Sequence, residues 1–223
     1  MSLGILGGGA VGLGRARPGP FPPKLSVSDD FERASLGANW TVRYPTGGDA
    51  AQVTIVGSSD LGMLNGAQAF QIVERTAEIL KPDQWVEGVI STEGDVVNWA
   101  RQIFVRRNNA TLARYAFHYD NDPGQPEFGL WCLKYDGVAA QNTRVFATSV
   151  PLQTPVAGDR LTLEIIDYTL RGYLNGVLVI QGTDTDSSKI AAGAPGLVAR
   201  LAVGNGTNPA TEKLWESFAA GDM

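Results

Sequence analysis

With 223 residues, 43% of them hydrophobic, the chain can bury a substantial core, and its composition argues against global disorder. The formal net charge is −5, but residues 1–24 hold three bases and no acid, leaving −8 on the rest (15 bases against 23 acids). A negative body argues against a nucleic-acid-binding face, and one cysteine (Cys132) with one histidine (His118) rules out intramolecular disulfides and ordinary zinc clusters.

The chain opens on a Gly- and Pro-rich stretch, residues 1–24, with no hydrophobic period that could bury a face. Within "GILGGGAVGLGR", Gly7, Gly9 and Gly12 match the dinucleotide-binding pattern G-x-G-x-x-G. That pattern works only where a helix begins at the glycines and presents its N-terminus to the pyrophosphate. Here Gly14 and the prolines at 18, 20, 22 and 23 follow, and each proline removes a backbone donor. The stretch reads instead as an arm ordered by a neighbouring subunit. Leu3, Ile5, Leu6, Val11 and Leu13 are its expected anchors, with Arg15 and Arg17 beside them. No apolar run reaches the roughly 20 residues of a membrane span, so membrane insertion is not expected.

From residue 25 to 223 the sequence reads as one domain of short strands divided by turns. "GAQAFQIVERTAEIL" is ambiguous, although its Ile72, Val73 and Thr76 fit a strand. "QIFVRR" and "ARYAFHYD" are strand-like, the latter with Tyr115, Phe117 and Tyr119 on one face and Ala116 and His118 on the other. "FGLWCLKY" ends at the turn dipeptide Asp136-Gly137. "RLTLEIIDYTLRGYLNGVLVIQG" alternates, turns near Asp167-Tyr168, and turns again at Asn175-Gly176, a strong hairpin signal. "GLVARLAV" and "KLWESFAAGD" complete the series. The expected fold is all-β, with two packed antiparallel sheets.

Three stretches resemble the concanavalin A-like jelly roll in its laminin-G-like and glucanase-like branch. "DDFERASLGANWTV" (29–42) is similar to the family's opening strand and turn. "RLTLEIIDYTLRGYLNGVLV" is similar to its hairpin, and "LWESFAAGD" to its closing strand, which in such folds returns beside the opening one. The fold hosts lectins, hydrolases, lyases and structural modules, so the likeness implies architecture more than activity. The whole chain, a Gly-rich arm followed by one such module, also resembles minor tail and head-surface proteins of tailed bacteriophages. That likeness implies a virion component, made in the host cytoplasm and held in a symmetric assembly by its arm.

Glucanases of this fold carry acids spaced along one strand as E-x-D-x-x-E or E-x-D-x-E. Glu93 and Asp95 come nearest, but Gly94 and the polar "STEGD" fit an exposed turn, and Val97 stands where a third acid belongs. Glu164 and Asp167, three apart, point to opposite faces of a regular strand. No enzyme is expected. Sugar binding is the rival reading, because a lectin-like site stacks an aromatic ring and hydrogen-bonds the hydroxyls. Trp99, Arg106, Tyr115, His118 and Tyr135, with Trp131, are the candidates for a host glycan. "DNDPG" (Asp120, Asn121, Asp122) and "DTDSS" (Asp184, Asp186) offer oxygens on turns, and Asp30 could join them. Ca2+ takes six to eight oxygens and neither cluster spells the EF-hand loop, so they read as turns whose side chains cap local backbone; no cofactor is expected, with Ca2+ as the alternative. The leading expectation is a non-enzymatic virion module; a carbohydrate-binding module or adhesin comes second, and a glycan hydrolase or lyase third.

Overall fold

The computed structural model describes residues 26–43, 53–64, 70–77, 80–91, 100–108, 110–120, 129–136, 143–150, 155–200 and 211–223. The arm and its seven named residues, together with Trp99, Glu93, Asp95, Asn121 and Asp122, lie outside them. The described residues form two antiparallel sheets and no helix. One sheet runs β13 (Val177–Thr183), β12 (Thr169–Leu174), β11 (Arg160–Ile166), β6 (Gln84–Ile90), β15 (Thr211–Asp222), β4 (Asp60–Leu64) and β3 (Val53–Val56). β1 (Ser26–Asp29) pairs with β15 as its eighth strand. The other runs β10 (Thr143–Val150), β9 (Gly129–Tyr135), β8 (Arg114–Asp120), β7 (Ala100–Arg107), β14 (Ala194–Arg200), β5 (Phe70–Arg75) and β2 (Trp40–Arg43). The result is the expected jelly-roll sandwich, and the ambiguous stretch around Ile72 is a strand.

Alternation decides which side chains enter the core. Along β6 every second residue is buried, so Gln84, Val86, Gly88 and Ile90 point inward. From the facing sheet Ile103, Val105, Tyr115, Phe117, Cys132 and Leu197 meet them in one cluster. Missing side chains make room for large ones. A Cβ on Gly172 would stand 2.8 Å from the ring of Phe117 and 2.7 Å from Ile180; one on Gly88 would stand 2.7 Å from the ring of Trp215. Trp215 reaches across the sandwich and donates its indole N–H to the Val198 carbonyl at 3.2 Å. At the predicted hairpin, Asn175 and Gly176 both have positive φ (51° and 79°), as the primed two-residue turn requires.

The opening motif "DDFERASLGANW" has a specific structural task. Asp29, buried at the end of β1, accepts the Phe31 N–H (2.9 Å), both Arg33 Nη atoms (2.6 and 2.7 Å) and the Trp40 Nε1–H (2.6 Å). Arg75 adds a guanidinium at 3.6 Å. Arg33 also donates to the carbonyls of Ser35 and Leu36, which folds the β1–β2 connection on itself. Phe31, fully buried with φ of 57°, packs on Trp40, whose ring meets Phe218 of β15 edge-on at 4.8 Å. The clasp therefore joins β1 and β15 of one sheet to β2 and β5 of the other.

Burial alone would raise the Asp29 pKa, but the hydrogen bonds from Arg33, Trp40 and the Phe31 N–H outweigh it and hold the carboxyl below its usual range. A depressed folded-state pKa gives stability that is complete above the unfolded value of about 3.9 and is lost as pH falls through the folded one. Asp29→Asn is expected to lower stability at neutral pH by about 3 kcal/mol. It should also flatten the fall in stability below about pH 4, with Asp184, depressed in the same way, supplying the remaining slope. Urea midpoints measured against pH check both outcomes.

Candidate functional site

The sheet of β10-β9-β8-β7-β14-β5-β2 has a second face, turned away from the core, and alternation loads it with polar and aromatic groups. Gln102 of β7, His118 of β8 and Trp131 of β9 stand side by side in register, as do Arg114 of β8 and Tyr135 of β9. Gln102 ties them together. Its Nε2 donates to the Tyr135 hydroxyl (2.6 Å) and lies 3.2 Å from His118 Nδ1, while its Oε1 accepts Arg114 Nε (3.1 Å). A donated amide proton at Nδ1 places the imidazole hydrogen on Nε2. The Arg114 guanidinium stacks 3.8 Å over the Tyr135 ring. Ile72, Phe104, Ala116, Leu133 and Val198 form an apolar patch under this network, and Trp131 packs against it while keeping part of its surface exposed.

A second ionic group lies on the same face. Glu74 of β5 accepts Arg43 Nε (3.0 Å) through Oε1 and pairs with Arg107 through Oε2. Glu74 and Arg107 are both fully buried, whereas the Arg43 side chain is 42% exposed. Burial, with the repulsion of Arg114 and Arg43, brings the Arg107 pKa down to about 10. Burial does the same to Arg114, again to about 10, against the support of Tyr135.

The residues expected to meet a glycan are divided by this geometry. His118 and Tyr135 share the outer face with Trp131, although both are buried there, at 2% and 4% exposure. Tyr115 points the other way, into the core. Its hydroxyl donates to Asp184 Oδ2 at 2.6 Å and accepts the Ile190 N–H, and burial first, then Asp184, pushes its pKa up. Arg106 sits at an irregularity with φ of 52° and is buried. It donates to the Pro82 and Ile190 carbonyls and to Asp83, and lies 5.1 Å from the Tyr168 ring, so it secures β7 to two neighbouring connections. Neither Tyr115 nor Arg106 presents surface to a ligand. Gln102 and Arg114, unremarked in the sequence, complete the outer network. Their position opposite His118 and Tyr135 follows from strand register, for which no local signal exists.

The acidic turn "DTDSS" is also engaged. Asp184 accepts Lys134 Nζ at 2.9 Å and the Asp186 N–H at 2.9 Å, and Lys134 reaches the Ser188 carbonyl as well. Burial would raise the Asp184 pKa, but Tyr115, Lys134 and the Asp186 N–H lower it. Among the described residues no three His, Cys, Asp or Glu side chains converge as metal ligands. Glu164 accepts the Tyr173 hydroxyl at 2.7 Å, and Asp167 turns away in the hairpin with φ of 53°.

No protein-family model and no curated protein sequence matches the chain. Solved structures share its architecture. The carbohydrate-binding module CBM66 from Bacillus subtilis aligns over 85% of this chain and 96% of its own, at a TM-score of 0.51 and 18% identity. A β-glucanase from Bacillus licheniformis aligns over 89% and 98%, at 0.54 and 9%. The exoplasmic/lumenal domain of VIP36, bound to Ca2+ and mannose, aligns over 88% and 89%, at 0.55 and 9%. The likeness is one of fold. It is the concanavalin A-like or galectin-like jelly roll, shared by carbohydrate-binding proteins and glucanases.

The Glu74 network separates a buried ion pair from an exposed one. Glu74→Gln leaves the Arg107 charge buried without its counter-ion and should cost about 3–5 kcal/mol. Arg43→Gln, at the exposed end, should cost less than about 1 kcal/mol. Urea unfolding of the two variants checks the contrast.

Proposed function

We propose that this chain is a carbohydrate-binding module that holds a glycan on the outer face of the seven-stranded sheet. The observation that carries the reading is Trp131. Among the described residues it is the partly exposed aromatic ring of that face, it is backed by an apolar patch, and His118 stands directly across from it in register. A sugar ring presents C–H groups on its face and hydroxyls around its edge, so it needs a flat aromatic surface with fixed donors and acceptors beside it. Gln102, His118, Tyr135 and Arg114 are buried, at 4% exposure or less, and their mutual hydrogen bonds brace the strands beside Trp131, so that the ring is held in place before any ligand arrives.

Binding is favoured over cleavage by the carboxylates. A retaining glycosidase needs two of them about 5–5.5 Å apart, and an inverting one about 6.5–9.5 Å. Among the acids whose side chains are described, Glu74 lies on this face, and both of its oxygens are engaged by guanidinium groups. The structural neighbours named for carbohydrate binding support the same reading at the level of fold. Attachment to a virion through Leu3, Ile5, Leu6, Val11, Leu13, Arg15 and Arg17 rests on the sequence of the arm, and it is compatible with a glycan-binding module at its end.

Trp131→Ala is expected to weaken binding about tenfold, the equivalent of about 1.4 kcal/mol, and, because the ring also packs on the apolar patch, to lower the unfolding midpoint while the protein stays folded. Glycan-array screening followed by affinity electrophoresis in the polysaccharide identified checks this. Unchanged retention of the variant, or release of reducing ends by the wild-type protein, defeats the proposal.

A further inference from the structure

The opposite side of the sandwich carries a second recess. The residues of β15 on this face are small: the half-buried Ser217 and Ala219 and the buried Gly221 alternate with the inward Phe218, Ala220 and Asp222. Ser28 of β1 stands opposite Ala219 on one side, and Glu87 of β6 on the other. These short side chains form a low floor between two walls. One wall is the β1–β2 connection, held upright by the Asp29 clasp and presenting the exposed Asp30 and Asn39. The other is β6, where Glu87 is fixed by Arg160 Nη1 (2.9 Å) and Thr162 Oγ1 (3.1 Å). Together they enclose a pocket of about 420 Å3, within the range of small-ligand sites.

Two residues along β6, on the same face, stands Trp85, opposite Gly221. The glycine places no side chain beside the half-buried indole. Its Nε1–H is buried and finds no acceptor among the described residues. From Ser217 to Gly221 the floor runs roughly 13 Å at about 3.3 Å per residue.

The charges of the recess define its ligand. The guanidinium groups of Arg33, Arg75 and Arg160 are matched in number by the carboxylates of Asp29, Asp30 and Glu87, so the recess has no net positive charge to hold an anion. The groups at its rim are a carboxylate, an amide and serine hydroxyls, a mixture of donors and acceptors rather than the six to eight oxygens of a Ca2+ site. Hydroxyl groups, which donate and accept at once, match that mixture, and a ring with an apolar face matches Trp85. We infer that this trough over β15 is a second binding site for a neutral oligosaccharide, with Asp30, Asn39, Ser28 and Ser217 holding hydroxyls and Trp85 stacking further along. It lies on the outer face of the eight-stranded sheet and is independent of the Trp131 face.

Titration of the 15N-labelled full chain with gluco-, manno- and fructo-oligosaccharides tests the inference. The expected result is a shift of the Ala219, Asn39 and Trp85 indole resonances with at least one of these probes. That response should persist in Trp131→Ala and fall about tenfold or more in Ala219→Trp, which fills the trough. Asn39→Ala, an exposed truncation, should weaken it too and covers the case in which Ala219→Trp does not fold. Shifts confined to the surroundings of Trp131, no shift with any probe, or undiminished binding by both trough variants would overturn the second site. A response at the trough without one near Trp131 would instead overturn the first site and uphold the second.

Discussion

The carboxylate of Asp29 sits where the two sheets and the connection between them meet, and it accepts a backbone N–H, two guanidinium nitrogens and an indole N–H. A buried charge is costly unless every lone pair is used, and here the partners come from the connection and from the facing sheet. Trp40 carries the connection onward: its indole N–H reaches Asp29, one ring face meets Phe31, and its edge meets Phe218 on the closing strand. The sheet edge, the loop and the core thus share one electrostatic centre. The wall of the trough over β15 exists because this clasp holds the loop in place.

The remaining polar burial follows the same rule on the other side of the molecule. Glu74 with Arg107, and Gln102 with His118, Tyr135 and Arg114, are networks rather than single groups. Their members come from three or more strands, so each strand's register is fixed by the satisfaction of the others. An aliphatic cover over the same sheet would be simpler to stabilise. Retaining hydrogen-bonding and aromatic side chains there, around the partly exposed Trp131, is what supports a ligand-binding reading of that face.

Much of the fold was legible because its signals are local. The alternation of "RLTLEII", the Asn175-Gly176 turn and the family resemblance of "DDFER" followed by "NW" each lie within a dozen residues. The site was legible only in part. Tyr115 and His118 lie three apart on one strand and so must face opposite ways, and the structure sends the tyrosine to the core and the histidine outward. Arg106 read as a strand residue, but positive φ at that position turns it into the end of the sandwich.

The sequence by itself determined many of the strands, the tight hairpin and the all-β class, since backbone preference and short-range turn chemistry specify them. Only the tertiary structure decided which face of each strand meets the core and which residues become neighbours. Gln102 meets Tyr135 across 33 positions, and Ala219 stands between Ser28 and Glu87 from two distant stretches. Such contacts come from register and sandwich closure, where burial of the whole apolar set selects one pairing, and no short window of sequence contains that sum.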